Sequence, residues 1–123
     1  MVTRILLALA LLAAGAVGSP GQDTARVVKV TAERFDFSPS RITVEPGETV
    51  ELRLTSEDTA HGFRIAGTGI DVEIPKRGHG EVAVRFTAEG EGPYRFECSR
   101  MCGAGHHFMR GEIVVKRTQE ARR

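Results

Sequence analysis

The sequence predicts an all-β protein, folded as a β-sandwich of seven or eight short strands. Apolar and polar residues alternate with a period of two in several short runs, which is typical of half-buried strands. Glycine and proline separate these runs about every ten residues, as they do in β-sandwiches. Beyond residue 18 no helical periodicity extends for more than a turn or two, and the sequence has no heptads or internal repeat. These three observations favour two packed sheets around one core.

The first half of the chain contains three alternating runs, the first of which is followed by Phe35 and Phe37. Ser38-Pro39-Ser40 interrupts the pattern, and Glu45-Pro46-Gly47-Glu48 places Pro and Gly where a type II turn requires them. The apolar positions of the three runs are Val27, Val28, Val30 and Ala32; Ile42 and Val44; and Val50, Leu52 and Leu54.

The second half continues the same pattern to residue 115. Its turns are predicted at Gly67-Thr68-Gly69, Pro75-Lys76-Arg77-Gly78 and Gly90-Glu91-Gly92-Pro93. The apolar positions of its predicted strands are Phe63 and Ile65; Ile70, Val72 and Ile74; Val82, Val84 and Phe86; Tyr94 and Phe96; and Ile113, Val114 and Val115.

Residues 1–18 are predicted to be a secretory signal peptide. Arg4 supplies a charged start, Ile5 to Val17 form an uncharged apolar run of 13 residues, and Ala16-Val17-Gly18 is a small-residue cleavage site. A spanning helix needs roughly 20 apolar residues, so an uncleaved membrane anchor is the alternative rather than the first expectation. Residues 19–25 are predicted to be a linker, 26–117 the domain, and 118–123 a polar tail.

Charge and composition narrow the choice of partner. Removal of the signal leaves 105 residues with 16 basic and 16 acidic side chains, which gives no reason to expect a nucleic-acid partner or an anionic membrane surface. Because residues 1–18 are predicted to be a signal peptide, we expect an exported protein in the periplasm or another extracytoplasmic location. A membrane is expected to be involved only if the N-terminal segment is retained.

One twelve-residue stretch, residues 98–109, combines the soft donors of the chain. It contains both cysteines, an imidazole and a thioether at Cys-x3-Cys-x3-His-x2-Met spacing. Soft sulfur together with imidazole is the donor set that copper takes in preference to hard cations. Gly103 and Gly105 allow the tight turns that convergence of these side chains requires. The predicted ligands in this stretch are Cys98, Cys102, His106 and Met109.

His61 is predicted to supply the second imidazole. It lies 37 residues before Cys98, at the end of a loop expected beside residues 98–109 at one end of the sandwich. His79, flanked by glycines, is expected to be a turn residue, and His107 is expected to face solvent or a partner.

Three other interpretations of these residues stay open at this point. Cys98 and Cys102 could form a local disulfide or remain buried thiols, although so short a loop gives little stabilisation by closure entropy. A structural zinc site could use His61, both cysteines and His106, but it would leave Met109 without a role. No catalytic triad, phosphate-binding loop or paired-carboxylate site is present in the sequence.

The stretch 98–109, with His61-Gly62-Phe63 before it and residues 111–115 after it, resembles the copper A domain of cytochrome c oxidase subunit II. It is most similar to the short subunit II of ba-type oxidases, and the C-terminal domain of nitrous-oxide reductase is a related domain. The resemblance covers roughly residues 33–116 and implies a Greek-key β-sandwich of the cupredoxin type. Two cysteines in this loop distinguish it from ordinary blue-copper proteins, which use one.

The resemblance also implies a role for each site residue. Cys98 and Cys102 would bridge two copper ions, and His61 and His106 would each cap one of them. Met109 would be axial to one ion, and the main-chain carbonyl of Arg100 axial to the other. Many family members have Glu where this chain has Arg100, and many use aromatic entry points for electrons, whereas this chain has no Trp.

The function implied is one-electron transfer through a binuclear copper A centre, by a protein that is not an enzyme on its own. Its expected partners are redox proteins such as a cytochrome c or a terminal oxidase. The alternatives are a subunit II-type component of a membrane haem-copper oxidase and a copper-trafficking protein. Copper-delivery proteins with Cys-x3-Cys usually have thioredoxin-like α/β folds, and the sequence shows no βαβ pattern.

Overall fold

A computed structural model describes residues 25–117 of the chain, which fold into nine strands and one short 3₁₀ helix. The predicted signal peptide and tail, and most of the predicted linker, lie outside the described residues. The strands are β1 (Arg26–Glu33), β2 (Asp36–Ser38), β3 (Arg41–Val44), β4 (Thr49–Ser56), β5 (His61–Ile65), β6 (Asp71–Ile74), β7 (Val82–Thr87), β8 (Tyr94–Glu97) and β9 (Arg110–Val115). The 3₁₀ helix η1 (His106–Phe108) lies between β8 and β9.

The strands form two sheets. One has four strands in the order β2-β1-β4-β7, and the other has five in the order β3-β9-β8-β5-β6. Most neighbours are antiparallel, but β1 pairs with β4 and β3 pairs with β9 in parallel. Strand β9 therefore lies between β3 and β8, so the last strand within residues 25–117 is inside its sheet rather than at an edge.

The inward-facing residues of both sheets form one apolar core. Strand β4 shows the predicted alternation most clearly, with Val50, Leu52 and Leu54 fully buried and its other positions from 49 to 55 half-buried. Three phenylalanine rings meet in the core: the Phe37 ring lies edge-on to Phe63 at 5.6 Å and to Phe96 at 5.4 Å between centroids. Edge-to-face packing of this kind adds to the area that each ring buries.

These features confirm the predicted all-β sandwich, with two differences in detail. The structure has nine strands because the first predicted segment divides at Arg34 and Phe35 into β1 and β2, which pair with each other. His61 is the first residue of β5 and not the last residue of a loop. The predicted turn at residues 45–48 is present, since Gly47 has φ of 77° and the Glu48 N–H donates to the carbonyl of Glu45.

Within residues 25–117, no helix is long and apolar enough to cross a lipid bilayer.

Candidate metal centre

The two cysteines lie at one end of the sandwich, in the segment that connects β8 to β9. Both are almost fully buried, with 5 % of Cys98 and 6 % of Cys102 exposed. Their Sγ atoms are 3.6 Å apart and not bonded to each other. A disulfide would bring them to about 2.05 Å. The local disulfide is therefore not formed in this structure, and two thiols face one another.

His61 approaches this pair from the start of β5. Its side chain is fully buried, and its Nδ1 lies 3.9 Å from the Sγ of Cys98. The donor atoms of His61, Cys98 and Cys102 all lie within 4.8 Å of one another. Residues that are 37 positions apart in the chain are thus brought to one point, as the sequence predicted, because β5 and β8 are paired neighbours in the five-stranded sheet.

His106 and Met109 approach the second cysteine. The Nδ1 of His106 is 3.8 Å from the Sγ of Cys102, and the Sδ of Met109 is 3.9 Å from the same atom. His106 is the first residue of η1, and Met109, which follows η1, is buried with 1 % exposed. The structure therefore brings the imidazole and thioether of this stretch to the same cluster.

Arg100 contributes its main chain to the cluster. Its carbonyl oxygen lies 3.1 Å from the Sγ of Cys98. Its side chain points elsewhere, with Nε 3.4 Å from the Oε2 of Glu73. His79 and His107, which were expected not to be ligands, are exposed.

The spacing of the donors fits a metal with sulfur and imidazole ligands. Metal–sulfur bonds of about 2.3 Å and metal–nitrogen bonds of about 2.0 Å place two ligands of one ion roughly 3 to 4 Å apart. The observed separations of 3.6, 3.8 and 3.9 Å fall in that range. Thiol, thioether and imidazole together form a set that suits copper.

Asp58 fixes the orientation of the His61 ring. Its Oδ1 lies 2.7 Å from the Nε2 of His61. Burial alone would raise the pKa of Asp58, but hydrogen bonds from the main-chain N–H of Arg34 and from His61 outweigh it and lower that pKa. An ionised carboxylate accepts, so Nε2 donates to Asp58 and the ring is held with Nδ1 toward Cys98. Carboxylate–histidine pairs of this kind commonly support metal sites.

The thiol of Cys102 is protonated at neutral pH in the metal-free protein. Burial raises its pKa to about 11, and the hydrogen bond and charge of Cys98 act in the same direction, while the charge of Arg34 opposes them. A metal that binds here has to displace that proton, because the thiolate is the ligand.

Glycines allow β5 and the β8–β9 connection to pack closely against their neighbours. A Cβ at Gly62 would collide with the Oγ of Ser99 and lie 2.8 Å from the Ser99 N and 2.7 Å from the Arg100 N. Gly103, whose φ is 146°, and Gly105 both lie against the Phe35 ring. The site thus depends on missing side chains as well as on its donors.

Two apolar side chains at the edge of the cluster are exposed. Met101 is 73 % exposed and Phe108 is 74 % exposed, and each is adjacent in sequence to a predicted ligand. A small cavity of about 230 Å³ opens beside the cluster, lined by Arg64, Glu97, Cys98, Ser99, His106, His107 and Met109. Arg64 and Glu97 form an ion pair there.

Two supporting residues were not predicted from the sequence. Asp58 had a detectable signal, because a carboxylate three residues before a predicted histidine ligand is placed to orient its ring. Arg34, whose Nε donates to the carbonyl of Cys102 at 2.8 Å, had none, because it lies 68 residues away in the chain.

Comparisons with known proteins agree with this geometry. A family model described as a cupredoxin-like domain matches residues 3–115. Cytochrome c oxidase subunit 2 of Thermus thermophilus is 43% identical over 90 residues, which cover 72% of this chain and 64% of that protein. The chain therefore spans somewhat less than two thirds of the length of this curated relative.

Two solved structures are similar over most of the described fold. A cryo-EM structure of a heme-copper terminal oxidase dimer contains a chain with TM-score 0.66 and 28% identity, covering 77% of this chain and 67% of that one. The periplasmic domain of subunit II of cytochrome oxidase from Bradyrhizobium japonicum has TM-score 0.69 and 17% identity, covering 79% and 88% of the two chains. The second likeness concerns the fold alone.

Proposed function

Because this chain belongs to the cupredoxin-like family, we propose that it is a one-electron carrier whose site holds two copper ions in a copper A-type centre. The observation that carries the proposal is the near-symmetry of the cluster about its two sulfurs. Cys98 has a histidine Nδ1 at 3.9 Å and Cys102 has one at 3.8 Å, with 3.6 Å between the sulfurs. One thiol pair with an imidazole at each end suits two ions that share both thiolates.

Each predicted ligand then has one role. The thiolates of Cys98 and Cys102 would be shared by the two ions, while His61 and His106 would each bind one ion. Met109, 3.9 Å from Cys102, and the carbonyl of Arg100, 3.1 Å from Cys98, would complete the ligand set. Copper bound in this way supplies a reversible one-electron couple.

The protein's own contribution is to hold these donors still. His61 is fully buried and oriented by Asp58, and both cysteines are almost fully buried. Donors fixed by packing and by a second layer of hydrogen bonds change position little, which favours fast electron exchange. The ligand set offers no open position for a substrate, in contrast to catalytic metal sites. These features support a role as an electron carrier.

Similarity to oxidase subunits indicates where the carrier would work. The Thermus thermophilus relative is subunit 2 of cytochrome c oxidase, and residues 1–18 of this chain have the pattern of a secretory signal peptide. We infer that this chain is exported and exchanges electrons with a redox protein, such as a cytochrome c or a terminal oxidase. Service as the subunit II-type component of such an oxidase is the second candidate, favoured by the 43% identity. The mature N-terminus separates the two, since a retained residue 1–18 segment would provide an anchor.

The first test is the visible and electron paramagnetic resonance spectrum of copper-loaded protein beginning at Ser19. We expect two coppers per chain and a purple colour when the site is oxidised, with one unpaired electron shared by both ions. A colourless product, as zinc-type binding would give, or the spectrum of one copper with one thiolate would contradict the proposal.

The second test removes one thiolate. Cys102→Ser should abolish the binuclear spectrum while the sandwich remains folded, because residue 102 lies in the connection between β8 and β9 and outside the strands. Ser99→Ala, in the same connection, is the matched control and should keep the spectrum. Retention of the full binuclear spectrum by Cys102→Ser would refute the assignment of its sulfur as a bridge.

A further inference from the structure

The turn between β1 and β2 lies against both ligand-bearing segments. It consists of Arg34 and Phe35, neither of which is a predicted ligand. The two ligand-bearing segments are the β4–β5 connection, which leads to His61, and the β8–β9 connection, residues 98–109. No strand pairing joins these two connections directly. The pairing of β5 with β8 brings them to the same end of the sheet, and contacts through a third segment add to that hold.

The turn holds the β4–β5 connection by its main chain. The N–H of Arg34 donates to the Oδ2 of Asp58 at 2.9 Å. The other oxygen of that carboxylate accepts from the main-chain N–H of Thr59 at 2.7 Å and meets the Nε2 of His61 at 2.7 Å. Two residues before Arg34, within β1, the carbonyl of Ala32 accepts from the Glu57 N–H at 2.9 Å.

The same turn holds the β8–β9 connection by its side chains. The Nε of Arg34 donates to the carbonyl of Cys102 at 2.8 Å. The Phe35 ring packs on Gly103 and Gly105, where any Cβ would collide with it. The guanidinium of an arginine is a charged donor, and a hydrogen bond from a charged donor is stronger than one between neutral groups.

We propose that the β1–β2 turn sets the position of the two ligand-bearing segments relative to each other, and that Arg34 is a positioning residue for the metal centre. Arg34 links Asp58, which orients His61, to Cys102, so one residue couples the two sides of the cluster. The inference rests on the proposed function in taking His61 and Cys102 as ligands. The contacts themselves are present without metal, and they can therefore be tested without it.

The decisive experiment is amide hydrogen exchange, measured by NMR, on the metal-free reduced full chain and its Arg34→Met variant. Methionine keeps the aliphatic stem but removes the Nε donor, whereas the main-chain bond to Asp58 remains. Loss of one such bond should speed exchange of the amides that donate within residues 103–109 about fivefold to tenfold. These amides belong to His106, Phe108 and Met109. The Thr59 amide, bonded to Asp58, should not change.

Copper retention gives a second readout. Transfer of copper from the loaded protein to a chelator should also be about fivefold to tenfold faster in Arg34→Met. Arg110→Met is the matched control, because Arg110 is an exposed arginine beside Met109 and its loss makes the same change in charge. It should leave both rates near those of the unchanged chain.

Several outcomes would overturn the proposal. Unchanged exchange at His106, Phe108 and Met109 in Arg34→Met is one, and equal acceleration in Arg110→Met is another. Uniform acceleration across the strands would show that Arg34 acts on the whole fold instead. Arg34→Lys keeps the charge but moves the donor away from the Nε position, so protection should remain lost; full protection would show that a donor at the Nε position is not required. If the protein does not bind copper, the metal-free exchange measurements still test whether Arg34 holds the β8–β9 connection in place.

Discussion

The main-chain carbonyl of Arg100 lies at the cluster, while its side chain lies outside it. The carbonyl is 3.1 Å from the Sγ of Cys98, whereas the guanidinium reaches Glu73 on the neighbouring β6 strand. About half of each of these two side chains is exposed, so their pairing contributes little to stability. The charge at position 100 is therefore free to act on the electrostatics of the site rather than on the fold.

Arg100→Glu should keep the ligand set and lower the reduction potential. The substitution changes the local charge by two units, and an anion favours the oxidised, more positive cluster. Exposed charges a few ångströms apart interact by about 1 kcal/mol in water, and a tenfold change in a one-electron equilibrium is about 59 mV, so the expected shift is tens of millivolts. Protein-film voltammetry at low and high salt would measure it.

Arg100→Gln is the control and should shift the potential about half as far, since it changes the charge by one unit. The shift should shrink at high salt because screening is stronger there. Loss of the binuclear spectrum in either variant would mean that the side chain holds the connection together, against the main-chain role assigned here.

At the scale of single residues, the sequence predicted a cluster of soft side chains but not the residues that support it. Cys98, Cys102, His106 and Met109 are recognisable because soft donors rarely cluster within twelve residues, and their convergence is what the structure shows. The support from Arg34 was not predictable. A hydrogen bond to a main-chain carbonyl leaves no trace in the sequence of the accepting residue.

Close approach of β5 to the β8–β9 connection is the feature of element packing on which the site depends most. Gly62→Ala should displace residues 99 and 100, because the added methyl would overlap the Oγ of Ser99 and the main-chain N–H groups behind it. Overpacking of this kind typically costs about 1–3 kcal/mol. We expect a lower denaturation midpoint and an altered copper spectrum.

Gly69→Ala is the matched control for that substitution. Gly69 lies in the turn between β5 and β6, where an added Cβ would meet nothing within 4 Å. Its midpoint and spectrum should stay close to those of the unchanged chain. If Gly62→Ala behaves like this control, the two segments are not held as closely as described.

The end of β1 opposite the metal centre carries an ion pair that should make stability depend on pH. Arg26 donates to both carboxylate oxygens of Glu48 at 3.1 Å. That hydrogen bond lowers the pKa of Glu48 below 4.5, against the effect of burial, and the main-chain N–H of Glu45 adds to the lowering. A carboxylate with a lowered pKa stabilises the fold above its ordinary pKa and loses that effect as the pH falls through its folded value.

Glu48→Gln should therefore be less stable than the unchanged chain at pH 7 and approach it in acid. For a partly exposed pair we expect a difference of about 0.2–1 kcal/mol at pH 7, which shrinks as the pH drops below 4.5. Urea denaturation at several pH values would measure it. Glu33→Gln, at an exposed strand end, is the control. If the stability difference between Glu48→Gln and the unchanged chain stays constant from pH 7 to pH 3, the ion pair is not the cause of that difference.

At the scale of elements, alternation predicted the strands well because each buries one face. It did not predict the division between β1 and β2, since both segments alternate and only the turn at Arg34 and Phe35 separates them. It also gave no information about pairing. The parallel neighbours β3 and β9 are brought together by the packing of the whole chain, which alternation within either strand does not encode.

The stability of the whole molecule should be linked to copper. A ligand that binds only the folded chain stabilises it by about 4 kcal/mol at a thousandfold excess over its dissociation constant. For a domain of this size that amounts to roughly 15 to 30 °C in midpoint temperature. Scanning calorimetry with and without copper should show the rise, and a chelator should reverse it.

Cys102→Ser provides the control for this linkage, because it keeps the fold and loses a ligand. Its midpoint should respond much less to copper than that of the unchanged chain. Equal midpoints for the loaded and metal-free forms of the unchanged chain would contradict selective binding to the folded state.

The place of β9 in its sheet has a consequence for the order of events during biogenesis. This last strand must insert between β3 and β8, and only its insertion fixes Met109 and the segment that precedes it. Completion of the sheet and assembly of the ligand cluster are therefore one step, which cannot precede the synthesis of β9. Until then both thiols are open to oxidants and to metals in the surrounding compartment. The interval before β9 inserts is when a reductant or a metal donor has its opportunity to act.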